Sequence, residues 1–408
     1  MHRVVITGVG TVNPLGLTVG EAWDRAVNGV TGVGPITHFD PTDYHVKVAC
    51  EVKNFDPAKY MDAREVRRRD RYQHFATAAA QEALAHSGLT VDEANAERVA
   101  VIVSSSSGGG GAFQDGVRTL FDAGPRRVSP FMITQFMPNG AGSLIAIDIG
   151  ARGPNFSVAS ACASANDGIG QAWLLVRSGL VDAAVTGGSE ASIWEIGVAG
   201  FDRLGAMTRR SELVPQPFDR DRDGLVMGEG AGVLILESLE HAQARGAEIL
   251  AELAGYAATS DAFHITAPAK DGVSASRAIT LAAQLGGIAG EDLGYISAHG
   301  TGTLLNDASE TAAIKRAFGE RAYSIPISST KSMTGHMMGA TGAVEAIFCI
   351  QAIRTGVLPP TINYRTPDPD CDLDYIPNTA REARIDAAIS NAFGFGGHNA
   401  VLAFKRFA

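Results

Sequence analysis

The chain has no apolar run of the roughly 18 residues that a membrane-crossing helix needs. It has no excess of positive charge either: 34 Lys and Arg against 44 Asp and Glu leave a net charge of −10. The first lack argues against a membrane span, the second against non-specific binding to nucleic acid or an anionic lipid surface. Cysteine is scarce. Cys50, Cys162, Cys349 and Cys371 are scattered without metal-ligand spacing or a pairing pattern, which argues against a disulfide framework and fits a reducing cytoplasm. Two nucleotide signatures are missing as well. "TGVGTVNPLG" (7–16) lacks G-x-G-x-x-G, and no acidic residue follows at the roughly twenty positions a ribose contact would need. "GGGG" (108–111) has no Lys-Ser/Thr after it, so it is not a phosphate-cradling loop. The start, "MHRVVITGVGTVNPLG", reads as a first strand and turn rather than a signal peptide.

What is present is core material. Of 408 residues, 45% are hydrophobic and 19% charged, enough for two or three domains or one large duplicated one, with the composition of an α/β enzyme. β-Branched runs alternate with Ala/Leu-rich runs. Strands are predicted at 3–10, 98–107, 155–160, 182–190, 231–238, 293–302, 325–332, 386–397 and 400–407, with helices such as 70–88, 165–179 and 342–356 between them. That alternation implies βαβ units around buried sheets. The order is roughly repeated. Each half opens with a strand, carries a long insertion, and then gives strand, loop and helix with a reactive residue at the helix start.

Four stretches carry candidate chemistry. In "SVASACASAND" (157–167), Cys162 follows a strand and precedes a helix, whose N-terminus favours a thiolate. Small neighbours let a carbonyl approach, and a sharp turn can aim a backbone N–H at an oxyanion. A buried structural cysteine is the plainer alternative. In "SAHGTGTLLNDASE" (297–310), His299 sits on a strand's lip as a general base or hydrogen-bond donor, with Thr301 and Thr303 able to hold a polar substrate arm. A satisfied loop histidine is the alternative. In "SSTKSMTGHMMGATG" (328–342), the charge of Lys331 biases His336 towards the neutral form. In "NAFGFGGHNA" (391–400), Phe393 and Phe395 among glycines form a hinged flap or simply a turn. One cysteine and two histidines at strand ends, with no redox motif, suggest acyl transfer through a thioester.

These motifs, together with "PFDRDRDGLVMGEGAGVLILE" (217–237), resemble the β-ketoacyl-[acyl-carrier-protein] synthases of the thiolase superfamily, the elongating type, over essentially all 408 residues. The resemblance implies a fold of two similar βαβ-rich halves, 1–240 and 241–408, stacked as α-β-α-β-α layers. It implies that Cys162 takes an acyl group from a carrier protein. His299 and His336 then assist decarboxylation of the malonyl unit and stabilise its enolate, supported by Lys331. Backbone N–H groups of Cys162 and Phe395 form the oxyanion hole, and Phe395 acts as a gate. Phe393 belongs with the substrate-binding residues. Ser107, in "SSSSGG" (104–109), stands where a branched apolar gate often sits. No metal ligand or cofactor is assigned, since phosphopantetheine arrives on the acyl carrier protein. The family's monovalent cation, near positions such as Glu310, Glu345 and Asn391, is not established by these residues alone.

Carrier proteins are acidic, and so is this chain, so a local basic patch must bring them together. Arg64, Arg67 and Arg68 in "REVRRRDRY" (64–72) match the family's docking positions, with a solvated charged face as the alternative. The expected assembly is a cytoplasmic homodimer formed through the segment near 155–160. The alternative is a ketosynthase subunit of a type II polyketide or polyene synthase, paired with a chain-length factor. A degradative thiolase is disfavoured, because "NAFGFGGHN" lacks that enzyme's second cysteine.

Overall fold

The computed structural model describes residues 1–407. Nine strands join in one sheet: β1 (Val4–Val12), β2 (Val99–Ser104), β3 (Ala183–Ala191), β4 (Glu229–Ser238), β5 (Ala251–Ser260), β6 (Tyr295–Ser297), β7 (Ile327–Ser328), β8 (Ala387–Gly394) and β9 (His398–Lys405). Their order among the described residues is β2-β3-β4-β1-β5-β9-β8-β6-β7. The helices that bear on the site are α1 (Ala63–Arg68), α2 (Arg71–Ser87), α3 (Ser164–Arg177), α4 (Val273–Leu285), α5 (Leu304–Phe318) and α6 (Thr341–Thr355).

The sheet contains the same pattern twice. β1 is antiparallel to β4, β4 antiparallel to β3, and β3 parallel to β2. In the second run β5 is antiparallel to β9, β9 antiparallel to β8, and β8 parallel to β6. β7 then adds a further parallel step beside β6. Its counterpart in the first run is the bridge of Asn155 to Val101, also parallel. The runs meet only where Val5 and Ile6 of β1 pair with Glu252 and Ala251 of β5. From 155 the chain passes into the turn bearing Cys162, and from β7 into the turn bearing His336.

Helices cover every face. α2 lies on β1 and β4, and α4 on β5 and β9. α3 and α6 fill the middle, α3 against β2 and β3, α6 against β4 and β8. The stack is the five-layer thiolase-type arrangement the sequence resemblance implied. Strands covered on both faces need no polar alternation, which is why β4 reads as a continuous buried run. The glycines of "TGVG" have a packing reason. A Cβ on Gly10 would stand 2.1 Å from the Ala79 carbonyl oxygen, and one on Gly8 2.2 Å from that of Ala83. They let α2 approach β1. α2 starts at a capping box of Asp70 and Gln73 and stops at Gly88, whose φ is +64°.

Two expectations need correction. Residues 155–160 do not form a strand here; beyond the Asn155 bridge the segment is extended without a ladder. Gly153 packs against the Val99 carbonyl, and from there the chain turns away towards Cys162. Conversely, 251–260, not predicted as a strand, forms β5.

Candidate active site

The turn at Cys162 is built by hydroxyls. Ala161 has a φ of +51°, unfavourable for a residue with a Cβ. Ser164 holds the turn from inside: its Oγ donates to the Ala161 carbonyl at 2.6 Å and accepts from the Ser160 N–H at 3.0 Å. Cys162 then enters a single 3₁₀ turn that leads into α3. Across from it, Gly394 lets the β8–β9 hairpin come close. A Cβ there would lie 2.8 Å from the Ser160 carbonyl oxygen and 3.1 Å from the Cys162 nitrogen.

His299 follows β6. Its own N–H and that of Gly300 both donate to the Glu310 carboxylate of α5, at 2.8 Å each. His336 follows Gly335, whose φ is +65°, and its N–H donates to the Val226 carbonyl at 2.7 Å. The His336 Nδ1 pairs with the Thr341 hydroxyl at 3.0 Å, which leaves the buried Nε2 without a protein partner. The two imidazoles stand edge to face, their centroids 5.3 Å apart. The Cys162 sulfur and one ring nitrogen of each histidine lie within 4.8 Å of one another.

The electrostatics favour neutral imidazoles. Burial first, then the Lys331 charge, hold both histidines well below their ordinary value, and His336 adds to the effect on His299. Lys331 is buried and ion-paired to Glu345 of α6 at 2.6 Å. Burial raises the Glu345 carboxyl to about 7 against that ion pair. Burial also raises the Cys162 thiol to about 11, opposed by the Lys331 charge and by the backbone N–H groups of Phe395 and Cys162 itself. Cys162 therefore rests as a thiol at neutral pH, and backbone donors that would stabilise its thiolate are already in place. A cysteine with two histidines also has the chemistry of a zinc site, but the neighbouring ammonium of Lys331 disfavours a cation at that point.

The family's monovalent cation would sit deeper. Glu310 also accepts from Asn391 Nδ2 at 3.0 Å, and Glu310 and Glu345 act on each other as like charges. Glu345 Oε2 and Asn391 Oδ1 are buried without partners. Two carboxylates and an orphaned amide oxygen suit a hard monovalent ion, so these residues fit one.

A cavity of about 320 Å³ reaches the trio, lined by Cys162, His299, His336, Thr301, Thr303, Phe393 and Phe395 among others. Thr301 and Thr303 share a hydrogen bond at 3.0 Å. The Phe395 ring stacks on Phe201 with centroids 6.2 Å apart. Lys331 stands behind the histidines and does not reach the cavity wall. Ser107 is not among the residues lining this cavity. Its hydroxyl donates to the buried carboxylate of Glu190 at 2.7 Å, beside donors from Ser105, Ser106 and Gly339. Arg64, Arg67 and Arg68 are exposed on α1, away from the cavity lining. Arg68 pairs with Glu65 and lies over the Phe131 ring.

Sequence reasoning missed Thr341, Phe201 and Glu190, and did not see Glu345 as the partner of Lys331. Glu345 left a signal, a lone carboxylate in the apolar run "GAVEAIFCI", where a buried charge requires a partner. Thr341 and Phe201 left none.

The model for the β-ketoacyl synthase N-terminal domain matches residues 1–242, and that for the C-terminal domain matches 250–365. The chain is 47% identical over 408 residues to a 3-oxoacyl-[acyl-carrier-protein] synthase 2 of Synechocystis sp., covering 99% of this chain and 98% of the relative. Among solved structures it is similar to the ishigamide ketosynthase/chain length factor, with a TM-score of 0.94 at 38% identity and all of both chains covered. It is also similar to a type II polyketide ketosynthase in complex with its acyl-carrier protein, with a TM-score of 0.92 at 34% identity, again with full coverage of both chains.

Proposed function

The chain belongs to the β-ketoacyl synthase family, and on that premise we propose that it condenses an acyl group held on Cys162 with malonyl-[acyl-carrier-protein] in fatty acid biosynthesis. The product is a 3-oxoacyl-[acyl-carrier-protein] two carbons longer, with CO2 released. One observation carries this reading: a buried thiol and two neutral imidazoles meet at the end of a cavity, with a backbone N–H from the Phe395 flap aimed at the sulfur.

The Cys162 sulfur attacks the carbonyl carbon of the acyl thioester and expels the carrier's phosphopantetheine thiol, which takes up the proton. The N–H groups of Cys162 and Phe395 stabilise the oxyanion of the intermediate. In the second half-reaction the malonyl carboxylate leaves as CO2 and its electron pair passes into an enolate. His299 and His336 donate hydrogen bonds to that enolate oxygen as neutral imidazoles, which is the form that burial and the Lys331 charge impose. The enolate carbon attacks the acyl-Cys162 carbonyl, and the Cys162 thiolate departs and is reprotonated. Decarboxylation generates the carbanion, so the site needs donors more than a strong base. Thr301 and Thr303 hold the pantetheine arm. A cation at Glu310, Glu345 and Asn391 would supply fixed positive charge behind the His299 loop. The enzyme needs no cofactor of its own.

Exposed Arg64, Arg67 and Arg68 dock the acidic carrier protein, and the assembly is a cytoplasmic homodimer whose protomers divide near residue 240. No helix among the described residues is long and apolar enough to cross a membrane. The second reading, a polyketide or polyene ketosynthase beside a chain-length factor, is favoured by the likeness to the ishigamide ketosynthase/chain length factor. The 47% identity to the fatty acid enzyme weighs more.

Intact mass after incubation with a panel of acyl-carrier proteins, wild type beside Cys162→Ala, tests the reading. Acylation of wild type only, discharged by malonyl-carrier protein as a lengthened 3-oxoacyl product, is the expected result. No acylation by any chain overturns it.

A further inference from the structure

The first turns of α3 read Ser164-Ala165-Asn166-Asp167-Gly168-Ile169-Gly170, and the condensation as described uses neither polar side chain at 166 and 167. We propose that Asp167 is a positioning residue whose carboxylate clamps Ser160 to Tyr256, and so holds the Cys162 turn against the half of the sheet that carries the Phe395 flap. This rests on Cys162 being the nucleophile.

The turn needs holding. Ala161 sits in the left-handed region, and such a conformation persists only where its surroundings impose it. Ser164 braces the turn from within, and Asp167 braces it from outside. One carboxylate oxygen accepts from the Ser160 hydroxyl, and the other accepts from the Tyr256 hydroxyl at 2.7 Å. Both are charge-assisted bonds, the stronger kind. Tyr256 stays a phenol and a donor, because burial and the charge of Asp167 both push its ionisation up.

Tyr256 belongs to β5, where it pairs with Leu402 of β9. β9 pairs in turn with β8, which ends at Gly394, one residue before Phe395. The clamp therefore joins the residue two before the nucleophile to the strands that aim the second oxyanion donor. The glycines of this stretch make room for it. A Cβ on Gly170 would stand 2.4 Å from the Tyr256 ring, and one on Gly168 2.2 Å from Ser104 Oγ. Asn166 makes a parallel tie, its Nδ2 donating to the carbonyls of Ser390 in β8 and Ala400 in β9 at 3.2 Å each. The hydrogen bonds of the Asp167 carboxylate go to Ser160 and Tyr256 and not to Cys162, so it acts through Ser160.

The test is the rate at which iodoacetamide alkylates Cys162, read by peptide mass at that residue, with the melting midpoint recorded for each variant. Asp167→Ala and Ser160→Ala each slow alkylation about tenfold or more, as expected for a displaced reacting atom, and move its pH midpoint upward. The double variant is no slower than Asp167→Ala, because both changes remove one link. Asp167→Asn keeps both hydroxyls partnered and stays within about threefold of wild type. Tyr256→Phe cuts the other end of the same link and slows alkylation as Ser160→Ala does, whereas Thr7→Val, which loses a buried hydrogen bond to Glu237 outside the clamp, melts earlier yet alkylates at the wild-type rate. A wild-type rate in Asp167→Ala overturns the assignment, as does slowing that merely follows melting across the series. Alkylation needs no acyl donor, so a wild type that no carrier protein acylates overturns the ketosynthase reading and leaves this comparison intact.

Discussion

Adding one methyl group at Gly394 should disable the nucleophile without touching it. A Cβ at that position falls 2.8 Å from the Ser160 carbonyl oxygen, 3.1 Å from the Cys162 nitrogen and 3.2 Å from the Ala163 nitrogen. Carbon atoms keep roughly 3.5 Å from their neighbours, so the hairpin must withdraw by about half an ångström or the turn must give way. Either response moves the Phe395 N–H off the sulfur. Loss of one oxyanion donor costs about 10²–10³ in rate, and a displacement near 1 Å costs about 10². A shift half that size places the expected loss for Gly394→Ala between about tenfold and a hundredfold. The assay is single-turnover acylation of Cys162 by an acyl-carrier protein, followed by intact mass. Gly20→Ala is the control. Gly20 lies in the first turn of the helix Val19–Val27, nothing lies within 4 Å of the added Cβ there, and Ala should leave the fold no less stable and acylation unchanged. A Gly394→Ala enzyme that acylates within about threefold of wild type would refute the close-approach argument, since the donor is worth far more than that.

Two pH effects follow from the charges. The alkylation rate of Cys162 should keep rising through pH 9 towards about 11, where its thiol ionises, and a plateau below pH 8 would contradict the burial that raises it. Glu237, buried on β4, is raised by burial but pulled down further by Arg245, His241 and Thr7, to about 2 from 4.5. A carboxyl depressed in the fold stabilises it above its unfolded value. That contribution, roughly 3 kcal/mol, is therefore present above pH 4.5 and lost as pH falls towards 2. Chemical denaturation from pH 7 to 3 should show Glu237→Gln less stable than wild type at neutrality, with the gap closing in acid.

Much of the architecture was legible because the strongest signals coincide with full burial. The helices at 70–88, 165–179 and 342–356 appear within two residues of their predicted limits; the first is bounded by its Asp70 capping box and by Gly88, and the last is closed by Gly356 in the left-handed region. β5 was illegible for a tertiary reason. "AELAGYAATS" is rich in Ala and Gly and has a single β-branched residue, Thr259, and α4 lies almost on its backbone: a Cβ at Gly255 would stand 2.2 Å from the Ala282 carbonyl oxygen. The sequence shows the smallness but not the helix that demands it. At the site, Cys162, His299 and His336 could be named because each ends a strand or opens a helix, where a parallel sheet gathers its chemistry. The bond of Ser107 to Glu190 was hidden because that carboxylate is 83 residues away. A buried carboxylate gathers every hydroxyl in reach, and no local pattern announces that.

The two equivalent turns place the division of labour between the repeats. The first repeat ends its parallel edge in the turn bearing Cys162 and, on the proposed mechanism, holds the atom that forms the covalent bond. The second ends its parallel edge in the turn bearing His336 and supplies His299 from its neighbouring strand. On that mechanism neither repeat contains the reaction by itself. Catalysis belongs to the contact between them, so the two copies are bound to remain unlike: a mutation that made them more alike would duplicate one role and erase the other.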